Sequence, residues 1–166
     1  MSTDDRPGSG PSVTWPTIVA ADVPEPLVTA HFVLEPLEPK HNARDHEAWM
    51  SSIAHIRATP GFGPTDWGGD EWPIPMSLDQ NLGDLHMHAD EFRRGEAYAY
   101  SVLDRPDGDV IGCVYIDPDD LGLADAKVRS WVRDSHAHLD DELAAAVAAW
   151  LASSWPFSSV RYVGRF

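Results

Sequence analysis

The chain has 166 residues, a length typical of one domain, and 43% of them are hydrophobic, which is enough to bury a core. Its 12 basic residues are outnumbered by 27 acidic ones, and the formal net charge of −15 argues against nucleic acid and anionic membranes as partners. This charge suits a cationic or amine-bearing small molecule, but high solubility alone is the commoner reason for it.

Cys113 is the only cysteine, so the chain cannot form an internal disulfide, which fits a reducing compartment. The opening residues, "MSTDDRPGSGPSVTW", lack the charged and then apolar pattern of a secretion signal. No apolar run is long enough to cross a bilayer. The sequence therefore predicts a cytoplasmic protein with no membrane partner.

Residues 1–26 contain five prolines, a density that breaks helices and removes backbone donors. We expect an extended arm here, with a short strand at "VTWPTIVA" as one option. Trp15, Ile18 and Val19 are the side chains that could pack such an arm onto the rest of the protein.

The predicted domain covers residues 27–166 and begins with a strand at "LVTAHFVLEPL". Pro39 suits the first turn of a helix, and apolar residues at spacings of three and four continue that helix to Ile56. The stretch 59–75 is rich in Gly, Pro and Trp and is too long for a simple connection. Ser77 and Gln80 form a capping box for a second helix, with an apolar stripe from Leu78 to Phe92.

Two alternating runs, "AYAYSVLD" and "DVIGCVYID", flank "RPDG" and predict a β-hairpin, with a bulge or close packing at Gly112. A strand at "AKVRSWVR", a helix from Leu139 and a last strand at residues 159–166 complete the pattern. The predicted order is β-α-α-β-β-β-α-β. This order gives an α+β fold in which helices pack on a mostly antiparallel sheet.

This order resembles that of the GNAT superfamily of acyl-CoA-dependent N-acyltransferases. "LVTAHFVLEPLEPKH" is similar to the family's opening strand and helix, and "YSVLDRPDGDVIGCVYIDP" is similar to its central hairpin, with Gly112 at a common glycine position. "AKVRSWVR" resembles the fourth strand. The resemblance implies transfer of an acyl group from acetyl-CoA to an amine of an unknown small molecule or peptide.

The resemblance also implies which residues bind the acetyl-CoA. Trp131, Val132 and Arg133 would line the pantetheine arm, and the pyrophosphate loop would fall on residues 134–139. That loop in the family has the form Arg/Gln-x-x-Gly-x-Gly/Ala. Here Arg133 keeps the first position, while His136 and His138 replace both glycines. A second alignment places Ser135 at the Arg/Gln position and restores no glycine.

These departures leave a second function open. Side chains at the glycine positions crowd the backbone that should contact phosphate, and Asp140, Asp141 and Glu142 place carboxylates at the positive end of the next helix. The family's C-terminal helix and hairpin, with its usual tyrosine acid, have no counterpart before Phe166. The alternative is therefore a GNAT-fold protein that has lost CoA binding and serves as a ligand-binding or interaction module. An open sheet edge makes a homodimer possible.

The other candidate sites are less specific. "HMH" at 86–88 and "HAH" at 136–138 suggest a metal, but residues two apart point to different faces of a helix, so we expect none. Aromatic and acidic residues between 59 and 75 suit an amine ligand, although packing is the commoner role of tryptophan. Asp117, Glu71 and His136 are the candidate general bases.

Overall fold

The computed structural model describes residues 14–64, 72–105 and 108–166. A five-stranded sheet runs through it in the order β1-β2-β3-β4-β5. The strands are β1 (Phe32–Pro36), β2 (Tyr98–Asp104), β3 (Val110–Pro118), β4 (Ala126–Val132) and β5 (Val160–Tyr162). Neighbours pair antiparallel except β4 and β5, which are parallel. The predicted α+β class is confirmed, and so is the predicted order of strands and helices, apart from the division of the first helix into two.

Helices cover both faces of the sheet. They are α1 (Asn42–Met50), α2 (Ile53–Arg57), α3 (Leu78–Arg94) and α4 (Asp140–Ser154). Short 3-10 helices lie at Ala20–Asp22, Pro39–His41 and Asp134–Leu139. The single helix predicted from Pro39 to Ile56 was wrong, because the chain interrupts it at Ser51 and Ser52, where Ser52 leaves helical geometry.

The sheet separates two hydrophobic cores. One lies under α4 and contains Val128, Val132, Leu143 and Trp150. The other lies under α1 and α3 and contains Trp49, Leu85, Tyr115 and Trp131. Successive β4 side chains therefore alternate between the two cores, as a strand buried on both faces requires.

The N-terminal arm is attached through specific contacts. The Trp15 indole donates a hydrogen bond of 2.9 Å to the Gly95 carbonyl, and its ring stacks on Tyr98 at 5.6 Å between centroids. Ile18 packs on the core under α4, but Val19 is 54% exposed, which corrects the expectation that it packs. No strand forms over the described residues 14–20 of "VTWPTIVA".

The end of helix α3 nearest its capping box also differs from expectation. The capping box between Ser77 and Gln80 is present in both directions. Leu78 is 45% exposed, however, and Asn81 takes a buried place beside Leu85 instead. The buried stripe of α3 therefore carries a polar side chain that the apolar spacing did not predict.

Gly112 fulfils both roles predicted for it. Val102 of β2 pairs with Gly112 and Leu103 pairs with Val110, so β3 has one extra residue next to Gly112 and forms a bulge there. A Cβ at position 112 would lie 2.2 Å from the Trp131 carbonyl oxygen. Glycine is therefore required by the close approach of β3 and β4.

We expect Gly112→Ala to lower the free energy of unfolding by about 2–4 kcal/mol, because two paired strands must separate to admit the methyl group. Gly83→Ala is the matched control, since a Cβ there meets nothing within 4 Å. In a helix interior it should raise stability by roughly 0.5–1 kcal/mol. Urea unfolding followed by tryptophan fluorescence measures both changes, and equal effects would contradict the prediction.

Candidate functional site

The pairing between strands β4 and β5 ends halfway along β4. They pair only through Ala126, Lys127 and Val128 of β4. The Val163 amide donates to the Val128 carbonyl at 3.0 Å, and the described chain then provides no further β5 partner for β4. The second half of β4 therefore borders a gap in the sheet.

The backbone of that second half has polar groups directed at the gap. A strand residue directs its N–H and C=O to the same side, and the side alternates along the strand. The Val128 carbonyl points to β5, whereas the Arg133 amide donates to the Ile111 carbonyl of β3 at 2.7 Å. By this alternation, the N–H and C=O groups of Ser130 and Val132 point into the gap.

The side chains bordering the gap belong to the two cores. On the α4 side, the hydroxyl groups of Ser130 and Tyr162 lie 2.5 Å apart, and burial raises the pKa of Tyr162 to about 12. On the other side, the Trp131 indole donates to the Tyr115 hydroxyl at 3.2 Å. Trp131 and Val132, both predicted to line a ligand arm, are fully buried.

Arg133 is held away from the start of α4. Its guanidinium makes two hydrogen bonds of 2.7 and 2.8 Å to the Glu47 carboxylate and a third of 3.1 Å to the Ser51 hydroxyl. These bonds lower the pKa of Glu47. Arg133 therefore ties the end of β4 to α1, so its charge is largely committed to that pair.

The residues Ser135, His136 and His138, predicted to contact phosphate, lie in the 3-10 helix between β4 and α4. The Ser135 hydroxyl and His136 Nδ1 share a hydrogen bond of 2.8 Å, and His136 Nε2 lies 3.3 Å from Asp104. The two imidazole rings stack at 6.1 Å between centroids. Together with His31 and Arg105, they border a shallow cavity of about 280 Å³.

The start of α4 carries three carboxylates, and each of them has a cationic or imidazole partner. Asp140 receives two hydrogen bonds of 2.5 and 2.9 Å from Arg165, and Glu142 lies 2.8 Å from His31 Nδ1. Asp141 Oδ1 lies 3.9 Å from Arg165 Nη1, and the Asp141 side chain is fully exposed. Carboxylates at this end stabilise the helix, and they oppose an incoming anion unless a cation neutralises them.

A second cavity, of about 380 Å³, lies on the other face of the sheet, enclosed by α1, α3, β3 and the segment before α3. Its walls combine aromatic and acidic groups, chiefly Asp45, Trp49, Trp72, Asp84, His88 and Tyr115. We call it the acidic aromatic cavity. Trp72 also packs on Trp131, with 6.2 Å between ring centroids, so the cavity wall continues to the free half of β4.

Asp45 is the most buried carboxylate of this cavity, and its pKa departs from the ordinary value. It is 5% exposed, and Asn81 donates to its Oδ2 at 3.0 Å. Asn81 is itself held by the Trp49 indole, which donates to Oδ1 at 3.1 Å. Burial raises the pKa of Asp45 to about 6, despite the hydrogen bond from Asn81, which lowers it.

Two further titratable groups border the acidic aromatic cavity. Burial raises the pKa of Asp84. Burial, followed by the charge of Arg129, lowers the pKa of His88 to about 4, so its imidazole is neutral at pH 7. The Arg129 guanidinium lies 5.2 Å and 5.5 Å from the ring centroids of Phe62 and Tyr115.

Asp117 and His136, two of the three predicted general bases, lie near opposite ends of β4. Asp117 lies on β3 opposite Lys127, with the Arg129 guanidinium 3.6 Å away, and burial raises its pKa. His136 follows the other end of β4. Glu71, together with Trp67, lies outside the described residues. In the described part of the chain, no three His, Cys, Asp or Glu residues are grouped to hold a metal ion.

Sequence reasoning missed Asp45 and Asn81, which form the polar side of the acidic aromatic cavity. Asp45 stands four residues before Trp49, and this spacing places both on one helix face. That spacing was the available signal. It was overlooked because aspartate in an otherwise amphipathic helix is usually exposed.

No protein-family model matches the sequence, and no curated protein matches it either. The fold does resemble solved acetyltransferases. The enzyme that modifies the N-terminal serine of a 50S ribosomal subunit protein in Salmonella typhimurium matches with a TM-score of 0.57 and 13% identity, over 77% of this chain and 68% of that one.

Two other solved structures give a similar result. RimL, a ribosomal protein acetyltransferase in complex with coenzyme A, matches with a TM-score of 0.59 and 15% identity, over 77% of this chain and 68% of that one. A GCN5-related N-acetyltransferase from Brucella melitensis matches with a TM-score of 0.54 and 15% identity, over 79% of this chain and 56% of that one. At these identities, the comparison establishes the fold.

Asp45→Asn should change how stability depends on pH. Because the folded-state pKa is about 6 and the ordinary value is 3.8, the folded protein holds this proton more tightly, and stability falls as pH rises from about 4 to 6. An amide at 45 can still accept from Asn81 without ionising. We expect the variant to match the parent below pH 4 and to be about 2–3 kcal/mol more stable above pH 7.

Urea unfolding at a series of pH values measures this difference. Asp22→Asn is the control, because Asp22 lies on the surface of the arm and should show no such divergence. If parent and Asp45→Asn curves stayed parallel from pH 4 to 7, the buried carboxylate would not titrate as described.

Proposed function

Because the chain has the fold of the GNAT acetyltransferases, we propose that it transfers an acyl group, acetyl in the simplest case, from acyl-CoA to an amine. The observation that carries the proposal is the gap between β4 and β5, which lies beside an aromatic and acidic cavity. A donor could bind at the gap, and an acceptor could approach from the cavity.

The free half of β4 suits the pantetheine arm of acyl-CoA. An extended ligand with amide groups can add to a sheet edge by hydrogen bonds to the strand backbone. Ser130 and Val132 offer such groups at the gap, as the ladder alternation requires. Trp131, on the same stretch, would shield this arm from water on the cavity side.

The phosphate end fits less closely, because no glycine-lined loop leads into α4. His136, His138 and Arg105 border the shallow cavity beside the start of that helix. Imidazole and guanidinium groups can donate to phosphate oxygens. We assign phosphate contacts to these side chains in place of glycine amides, with Arg165 already neutralising Asp140.

An amine that arrives as its ammonium ion first loses one proton to solvent, because only the free amine can attack. The amine nitrogen then bonds to the acyl carbon and the carbon–sulfur bond breaks. CoA leaves as a thiolate, whose sulfur takes the second proton that the nitrogen gives up. Backbone N–H groups directed at the gap would stabilise the negative charge that develops on the acyl oxygen. The aromatic rings of Trp72, Tyr115 and Trp131 would exclude water, which protects the acyl group from hydrolysis.

A second function, that of a binding module without CoA chemistry, is favoured by one observation. The start of α4 is occupied by its own carboxylates, one of them in a two-bond ion pair with Arg165. Helix α4 thus has negative charge beside its positive end without any ligand, although no side chain caps its first N–H groups. The two functions differ in whether acetyl-CoA binds at all.

Isothermal titration with acetyl-CoA is the direct test. We expect saturable binding below millimolar ligand, with CoA competing for the same site. An absence of heat at millimolar acetyl-CoA would remove the acyltransferase and leave the binding module. Release of free thiol in the presence of primary amines, followed with a thiol reagent, would then test transfer.

Asp141→Asn should tighten acetyl-CoA binding, because its exposed carboxylate repels phosphate at the start of α4. Removing one such charge should improve the dissociation constant about two- to fivefold at low salt. Asp79→Asn is the matched control, since Asp79 has the same first-turn place on α3. Equal effects of the two variants would contradict a phosphate site at α4.

Other sequence predictions stay predictions. No described helix is long and apolar enough to cross a membrane. The cytoplasmic location, the homodimer and the exclusion of nucleic acid as a partner remain predictions from the sequence.

A further inference from the structure

We propose that the acidic aromatic cavity binds a primary amine with an apolar body, held as its ammonium form by Asp45 and Asp84. This inference rests on the proposed function, because it makes the cavity the acceptor subsite for acyl transfer. It goes beyond the fold by specifying the chemistry of the acceptor.

The charge of the cavity favours a cation. Asp45 Oδ2 is engaged by Asn81, but Oδ1 accepts no hydrogen bond from any described residue. Asp84 lines the same cavity and interacts with Asp45 through space. Two carboxylates that border one small cavity repel each other, and an ammonium between them would relieve that repulsion.

Among the described residues that line the cavity, none is a lysine or an arginine. His88 is neutral at pH 7, because burial lowers its pKa to about 4. His46, on α1, makes a hydrogen bond of 2.7 Å through its Nε2 with the Met76 carbonyl, and its charge lowers the pKa of Asp45 without a direct bond to that carboxylate. Arg129 lies over Phe62 and Tyr115, with Asp117 3.6 Å from its guanidinium. The carboxylate of Asp45 is therefore left for a ligand.

The walls suit the rest of such a ligand. Trp49 and Trp72 lie 5.6 Å apart between ring centroids and, with Tyr115, form aromatic sides for a cation or a flat apolar group. Ile74 and Met87 line the cavity and are 39% and 47% exposed, so its mouth is apolar. A volume of about 380 Å³ is near the low end for small-molecule sites, which favours a compact amine.

The cavity is also placed for transfer. Tyr115 forms part of its wall and receives the Trp131 indole hydrogen bond of 3.2 Å. Trp131 lies on the free half of β4, where the acyl donor is proposed to bind. One aromatic layer thus separates the ammonium site from the gap in the sheet.

The test uses two probes of one shape, 2-phenylethylamine and 2-phenylethanol, titrated into the full chain at pH 8 without acetyl-CoA. We expect the amine to bind at least about tenfold more tightly than the alcohol, as a contribution of about 1.4 kcal/mol from the charge would give. Tryptophan fluorescence should change on binding. Equal affinities, or no binding of either probe, would overturn the proposal.

Asp45→Asn should abolish the preference for the amine while leaving the alcohol affinity unchanged, and Asp84→Asn should reduce the preference in part. Asp79→Asn, on the same helix but outside the cavity, should keep it. A preference that survives both cavity variants would place the ammonium elsewhere.

This experiment separates the two proposals because it contains no acyl donor. Selective amine binding without acetyl-CoA binding would leave the cavity assignment intact and refute acyl transfer. Acetyl-CoA binding without selective amine binding would do the reverse.

Discussion

The parting of β5 from β4 is the constraint on which the proposed site depends. Gly164 has φ +69°, and a Cβ there would lie 2.6 Å from Pro60, so the chain turns sharply after Tyr162 and packs against the segment following α2. Arg165 then reaches Asp140 at the start of α4. The turn therefore draws the chain away from β4 and leaves the groups of Ser130 and Val132 at a free edge.

Burial of Asp45 is a cost that the fold alone does not explain. A carboxylate with a raised pKa lowers stability at neutral pH, and an amide in its place could keep the hydrogen bond to Asn81. Buried carboxylates with a raised pKa concentrate at functional sites, where a bound ligand can stabilise the charged carboxylate. The combination of this cost with an adjacent cavity gives Asp45 a role beyond packing.

Local patterns determined what the sequence could predict. Alternation around "RPDG" and the capping box at Ser77 depend on neighbouring residues, so the hairpin and the start of α3 were predicted correctly. The break at Ser52 was not, because serine is tolerated within helices and only the structure reveals the change of direction. The acidic aromatic cavity joins residues 36 positions apart, Asp45 and Asn81, and no spacing rule connects positions so distant in the chain.

The net charge of −15 has opposite consequences for the two proposed substrates. It draws a cationic acceptor toward the protein and repels a phosphorylated donor. Donor binding therefore requires local positive charge. Arg105, His136 and His138 border the shallow cavity beside the start of α4, together with Asp104, and Arg165 pairs with Asp140 in the first turn of that helix. The Arg165 pair with Asp140 then does more than fill a helix end, because it removes one of the negative charges that the phosphates would face. On this reasoning the loss of glycine from the loop is compatible with CoA binding, provided that side chains supply the contacts that backbone amides would otherwise make.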